Sequence, residues 1–227
     1  MKGSEKSKSL VDSVYDRILA LLHRRGLTSV EALNASSLAK ELDVSRTPVN
    51  MALVRLESEG LIRKSAGQGW ISPPLSLEDI EEVFDLKAML EPLVARKAAE
   101  NVSPKTAAEL LGIVEEMETA CEAQDLDRWL AADHRYHKIL HDIAGNRRLK
   151  QFLERLNNQL YRLLVGHMAT EGRMASASKE HRLIAEAVVS GNPDLAADRA
   201  VQRIQILRAS MMDVMKNVLM PFLGQAL

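Results

Sequence analysis

VSRTPVNMALVRLESEGLI, residues 44–62, reads as a short amphipathic helix with a marked start and stop. Ser45 stands where a cap belongs, and its hydroxyl can accept a first-turn N–H, worth roughly 1 kcal/mol. Pro48 falls in the first turn, where a missing N–H costs little. Val49, Ala52, Leu53 and Leu56 share one face and Gly60 ends the run, leaving Arg46, Thr47, Asn50 and Met51 pointing outward. Just upstream, Ala35–Leu42 predicts another short helix, with Asp43-Val44 as the tight turn between the two. Two helices joined by such a turn, with polar residues opening the second, form the helix-turn-helix arrangement. Leu10–Arg24 predicts a helix before them. Leu61-Ile62-Arg63-Lys64, a turn over Ser65–Gly69 and Trp70-Ile71-Ser72 predict a two-stranded wing after them. A lone amphipathic helix with a solvated face would need none of this company. The combination indicates a winged helix-turn-helix.

Outward from there, GQGWISPPLS at residues 67–76 carries two Gly, two Pro and two Ser, the composition of a turn and linker. Beyond it the pattern is helical nearly to the end, over about 77–101, 104–123, 125–144, 146–169, 176–190 and 193–220. Each break is a Gly/Asn stop or a Ser/Asn-x-Pro start. The expected architecture is therefore mainly α: a winged helix-turn-helix domain over residues 9–74 and an all-helical bundle of six or seven helices over 77–222.

Composition agrees with helices. Of the 227 residues 46% are apolar but only 4% aromatic, with ten Met and abundant Leu and Ala. The single cysteine, Cys121, excludes an intramolecular disulfide framework and fits a reducing compartment. MKGSEKSKS at the N-terminus lacks the apolar run of a signal peptide, and no apolar stretch approaches a membrane span. The expectation is a cytoplasmic protein without a membrane partner. The first 75 residues hold 11 Lys and Arg against 8 Asp and Glu, and the remainder 19 against 23. A basic N-terminal third is compatible with a polyanionic partner.

The bundle carries a second signal: ionisable residues on apolar stripes. Lys87 interrupts Ile80, Val83, Phe84, Leu90 and Val94. Asp133 and His137, one turn apart, lie within the stripe of Leu126, Trp129, Leu130, Leu140 and Ala144. His181 shares a face with Ile184, Ala185 and Val188, and Arg203 sits beside Ile204, Leu207 and Met211. Burying such groups costs several kcal/mol unless they are paired. They are either separately satisfied core residues, an Asp133–Arg203 ion pair among them, or the lining of one shared polar cavity; the set favours the cavity. An Asp with imidazoles can hold Zn²⁺, Ni²⁺ or Mn²⁺ and leave positions open for a carboxylate ligand. His134 and His141 adjoin the stripe as substitute ligands, whereas His23 and His167 read as surface or helix-end residues. Met211, Met215 and Leu219 are candidates for either an interface or core packing.

LAKELDVSRTPVNMALVRLESEGLI resembles the winged helix of the GntR family of bacterial transcription regulators over some 25 residues. The resemblance implies that Ser45, Arg46, Thr47, Pro48, Asn50, Met51 and Arg55 face DNA, with Gly67 and Gln68 at the wing turn. The chain departs from the family at Asn50, where Arg is usual, at Met51, where Glu is frequent, and at Ser36, where Arg is frequent. Each lost Arg–phosphate contact lowers affinity for all sequences. Asn50 can instead bond adenine and Met51 can lie on a thymine methyl, which implies an A/T-containing half-site.

EEVFDLKAMLEPLVARKAAE, ADHRYHKILHDIAGNRRL and KEHRLIAEAVVSGNPDLAADRAVQRI resemble the FCD effector-binding domain of the FadR-type subfamily. Many members hold a metal through Asp-x3-His and two further His. Asp133, His137 and His181 match three of these ligands, and the fourth position falls on Arg203, which stays protonated and cannot ligate. Lys87 stands where the subfamily often places Arg against the effector. Two readings follow from the resemblance. Either a three-ligand metal remains and Arg203 clamps the effector's carboxylate, or Arg203 replaces the metal and an anion binds Lys87, Arg203 and the imidazoles directly.

The function implied is a ligand-responsive repressor, a homodimer on a palindromic operator, with a small carboxylate as effector. The alternatives are a helical metal-dependent hydrolase, since His141-Asp142 with His137 resembles a His-Asp doublet, and an effector-independent DNA-binding protein. The first leaves the winged helix unexplained and the second leaves the polar stripes unexplained.

Overall fold

The computed structural model describes residues 9–24, 32–65, 69–73 and 76–219. The chain divides into two compact units, Met1–Leu75 and Ser76–Leu227. Among the described residues of the first unit are helices α1 (Leu10–Arg24), α2 (Ala35–Glu41) and α3 (Arg46–Ser58), then strands β1 (Arg63–Ser65) and β2 (Gly69–Ile71). Their apolar faces meet in one core built on Val14, Ile18, Leu38, Val49, Leu53, Leu56, Ile62 and Trp70.

Local chemistry explains the joints. Asn34 caps α2, its side-chain oxygen accepting from the N–H of Ser36 at 2.8 Å and of Ser37 at 3.2 Å. Asp43, at φ 52°, takes the left-handed conformation that reverses the chain between α2 and α3. Ser45 occupies the cap position of α3 but makes no capping bond, contrary to expectation. The reason is Pro48: it holds the third helical position, so the N–H that a cap hydroxyl commonly engages there does not exist. The wing pairs antiparallel, Arg63 with Ile71, Lys64 with Trp70 and Ser65 with Gly69. Trp70 also bridges to Leu33, so the segment before α2 extends the wing. Gly69 has φ 87°, and a Cβ there would sit 3.0 Å from the Leu33 carbonyl oxygen, so this crossing needs glycine.

The second unit contains α4 (Leu77–Asn101), α5 (Pro104–Glu122), α6 (Leu126–Ala144), α7 (Arg147–Met168), α8 (Arg173–Val189) and α9 (Pro193–Val214) among its described residues, then a π-helical turn, Met215–Leu219. Ser76 with Asp79 and Ser103 with Thr106 form capping boxes on α4 and α5. α4 packs on α9 and α6, while α5 packs on α6 and α8. α8 begins three residues earlier than its sequence pattern suggests. Gly172 turns at φ 73° and helix follows at once, because Arg173 folds inward onto Glu180 in a bidentate pair at 2.8 and 3.1 Å. Met211 and Met215 are buried and belong to the core of this unit rather than to an outer face. His167, expected at a surface or helix end, does close α7 but is buried, with its Nε2 3.0 Å from Ser210 Oγ. No helix among the described residues is long and apolar enough to cross a membrane.

Candidate functional site

In the first unit the outward face of α3 is the candidate nucleic-acid interface. Ser45, Arg46, Thr47, Asn50 and Met51 are exposed. Pro48 is buried with Val49, so it shapes the scaffold rather than the outer face, a correction to its place in the expected contact set. Arg55 is engaged within the unit. Its Nε lies 3.1 Å from Glu59 Oε1, its Nη1 lies 3.1 Å from Asp12 Oδ1, and its guanidinium stacks 3.9 Å from the Tyr15 ring centre. Tyr15 in turn donates its hydroxyl to Glu59. Burial, and then that bond, push the Tyr15 hydroxyl well above its ordinary pKa. The cluster ties α1 to the end of α3 and so fixes the recognition helix. On the wing, Lys64 lies 4.9 Å over the Trp70 ring, with Arg63 exposed beside it. Gly67 and Gln68 lie outside the described residues. Val54, exposed one turn beyond Asn50 and Met51, was not foreseen, although its i, i+3 and i+4 spacing from them was visible in the sequence.

In the second unit the ionisable residues of four helices converge. Lys87 (α4), Asp133 and His137 (α6) and Arg203 (α9) line one cleft of about 570 Å³, counting the space open to solvent, together with Asn157 and Tyr161 of α7. His181 (α8) stands directly behind Asp133, fully buried at 0% exposure, with its Nε2 3.1 Å from Asp133 Oδ1. The ring contacts of Tyr136 with both His137 and His181 hold the imidazoles, and the Tyr136 hydroxyl donates to the His181 carbonyl at 3.1 Å.

Hydrogen bonding fixes what each ring offers. His181 Nδ1 lies 2.6 Å from the Ala177 carbonyl oxygen, which can only accept, so Nδ1 carries a proton, while Nε2 faces Asp133 Oδ1. His137 Nε2 lies 3.5 Å from Arg203 Nη2, which can only donate, and 3.7 Å from Asp133 Oδ1. Both Nε2 atoms therefore face one carboxylate. Burial lowers the pKa of both imidazoles and Arg203 lowers it further, while Asp133 opposes the shift. Burial alone would raise Asp133, but the neighbouring imidazoles and Arg203 hold it far below the usual carboxylate range. A carboxylate with two imidazoles, ligand atoms within 4.8 Å of one another, is a donor set that fits a divalent metal.

Arg203 does not grip Asp133. Among the described residues it forms no salt bridge, its one hydrogen bond is the long one to His137, and its buried Nε has no hydrogen-bond partner, although its charge is felt by Asp133 and Glu91. Lys87, only 3% exposed, is satisfied instead: its Nζ donates to Glu91 Oε1 at 2.7 Å and to Asn157 Oδ1. Burial would raise Glu91, but Lys87, His141 and Arg203 bring it down to about 2. Glu91, His137 and His141 form a second group with metal-ligand spacing. His141 is buried, whereas Asp142 is exposed and pairs with Lys150, so the His141-Asp142 doublet does not point into one site. Sequence reasoning missed Asn157 and Tyr161. Their helix carries an apolar stripe of Leu149, Leu153, Leu156, Leu160 and Leu163, and Asn157, one turn from both Leu153 and Leu160, was the signal that could have found them.

The chain has known relatives. The FCD domain family model matches residues 82–205, and that of the bacterial regulatory proteins, gntR family, matches residues 10–71. An HTH-type transcriptional regulator of Bacillus subtilis, YdhC, is 26% identical over 183 residues, 80% of this chain and 82% of that protein. A probable D-xylose utilization operon transcriptional repressor of Paenarthrobacter nicotinovorans is 28% identical over 159 residues, 70% of each protein. Among solved structures, Escherichia coli McbR/YncC superposes with a TM-score of 0.79 over 90% of this chain and 97% of that one; at 20% identity this likeness concerns the fold alone. The winged unit with its exposed recognition helix and the helical unit with its buried polar cluster thus belong to one family: the chain is a transcription regulator of the GntR family, with a helix-turn-helix DNA-binding domain and a C-terminal FCD domain.

Proposed function

We propose that the helical unit binds a small carboxylate in the cleft between Lys87, His137, Asn157 and Arg203, and that binding releases the regulator, a repressor, from its operator. The observation that carries this is the state of Arg203: a buried guanidinium with no salt bridge and an unpartnered Nε beside an open cleft. A buried guanidinium whose donors are unsatisfied is costly unless an acceptor completes it, and a carboxylate matches it two-pronged. Lys87 and Asn157 supply further donors. Asp133, His137 and His181 would hold a divalent metal, which when bound would offer an open position to the same carboxylate. Release from DNA requires that the carboxylate bind the DNA-free state more tightly than the DNA-bound one. Two copies on a palindromic operator would place matching recognition helices on successive half-sites.

A thermal-shift screen of small carboxylates and sugar acids, with and without Zn²⁺, Ni²⁺ or Mn²⁺, tests the proposal. At least one acid should raise the melting temperature, Arg203→Ala should abolish that rise, and the same acid should weaken a gel shift on the selected operator. An unchanged rise in Arg203→Ala would remove the anion clamp. Metal analysis of protein purified without chelator decides whether the Asp133 trio is loaded.

A further inference from the structure

The outer face of α3 carries an arrangement that the helix-turn-helix assignment does not account for. Thr47, Asn50, Met51 and Val54 follow one another at i, i+3, i+4 and i+7, so they form one stripe along the helix. Met51 is 55% and Val54 54% exposed. Among the described residues of the first unit, the one other large apolar side chain so exposed is Leu10, at the far end of the chain. Neither Met51 nor Val54 belongs to the unit's core, which already has its own set of buried residues. Nor is the stripe a phosphate-gripping surface. None of its four residues is a cation; Arg46 lies beside it, one turn before Asn50, and Arg55, the next along the helix, is held by Asp12, Glu59 and Tyr15.

A helix lying in the major groove presents such a stripe to base edges, where the one apolar feature is the C5-methyl group of thymine. We infer that Met51 and Val54 form a methyl-reading surface: they recognise the C5-methyl groups of neighbouring pyrimidines in the operator half-site. Asn50, between Thr47 and Val54 on the stripe, adds a bidentate bond to adenine. The surface responds to the methyl and not to thymine's hydrogen-bonding edge, so 5-methylcytosine satisfies it as well. Operator binding is then sensitive to cytosine methylation at those positions. The inference rests on the DNA-binding role of this unit and adds what the helix reads.

The experiment starts from a duplex selected from a random library by repeated binding to the full-length protein. Each thymine of the selected half-site is replaced in turn by deoxyuridine, which removes the methyl and leaves the base pairing intact. At one or two positions affinity should fall about fourfold, the equivalent of roughly 0.8 kcal/mol per buried methyl group. Placing cytosine there and then 5-methylcytosine should recover about the same factor. Met51→Ala and Val54→Ala should bind the thymine and deoxyuridine duplexes equally. Because both side chains are exposed, both variants should melt as the wild type does. Indifference to deoxyuridine at every position, or full discrimination kept by both variants, would overturn the inference while leaving DNA binding intact. A library from which no sequence is enriched would overturn the DNA-binding reading along with it.

Discussion

The recognition helix and the bundle interior invert the usual distribution of side chains in opposite directions. On α3, Met51 and Val54 face solvent where charge would be expected on a DNA-binding surface. Inside the bundle, Lys87, Glu91, Asp133, His181 and Arg203 are buried where Leu or Ile would pack without penalty. The two costs differ in kind. An exposed apolar side chain forgoes burial of about 1.5–3 kcal/mol but strains nothing. A buried charge is tolerated only with a partner, and losing that partner costs several kcal/mol. A fold can therefore carry Met51 and Val54 for the sake of an outside partner alone, whereas the interior cluster has to be balanced internally before it can bind anything. Within that cluster Lys87 and Glu91 form an ion pair, whereas Arg203 keeps a buried Nε with no hydrogen-bond partner.

The contrast is broken most directly at Lys87. Lys87→Ala strands Glu91 as a buried carboxylate and should destabilise the helical unit by about 3–5 kcal/mol in urea unfolding. The pair replaced together, Lys87→Met with Glu91→Leu, should recover most of that loss. If Lys87→Ala unfolded like the wild type, the pair would not be balancing buried charge at all.

His167 provides the pH-dependent arm. Burial, and then Arg173, lower its pKa from 6.5 to about 4, so the native ring resists a proton that the unfolded chain accepts. Stability from this residue is complete above about pH 6.5 and falls as pH drops through the window from 6.5 to about 4. Between pH 7.5 and 5.0 the loss should be about 2 kcal/mol. His167→Gln should flatten this part of the profile, and an unaltered pH dependence in that variant would place the titration elsewhere.

On the DNA side the effects are smaller. Asn50→Ala should change the ranking of operator variants by roughly 1–3 kcal/mol at a single adenine. Arg46→Ala should instead weaken all duplexes together and flatten the slope of log affinity against log salt by about 0.9. An Asn50→Ala variant with the wild-type ranking would deny Asn50 any base-reading role. Smallest of all, Met51→Ala and Val54→Ala should shift folding stability by no more than about 0.5 kcal/mol in thermal melts, because neither buries anything in the free protein. A larger loss would show that they pack rather than read.

Much of this was legible in the residues alone. The helices of both units, the wing and the breaks between them follow from apolar spacing, Gly and Pro punctuation and capping residues, which act within a few residues along the chain. The same spacing placed Lys87, Asp133, His137, His181 and Arg203 on inward stripes before any packing was known. Three things waited for tertiary structure. Ser45 lacks the capping bond, and Pro48 removes one of the two N–H groups it could have accepted from, a conflict between two locally favourable signals. Arg55 is held by Asp12 and Tyr15, which α1 brings to it from some 40 positions away in the chain. Asn157 reached Lys87 across 70 residues. Short-range periodicity tells which face of a helix turns inward. Which partner meets it there depends on how helices distant in sequence pack against one another, and that is why only the fold could show that Lys87 is satisfied and Arg203 is not.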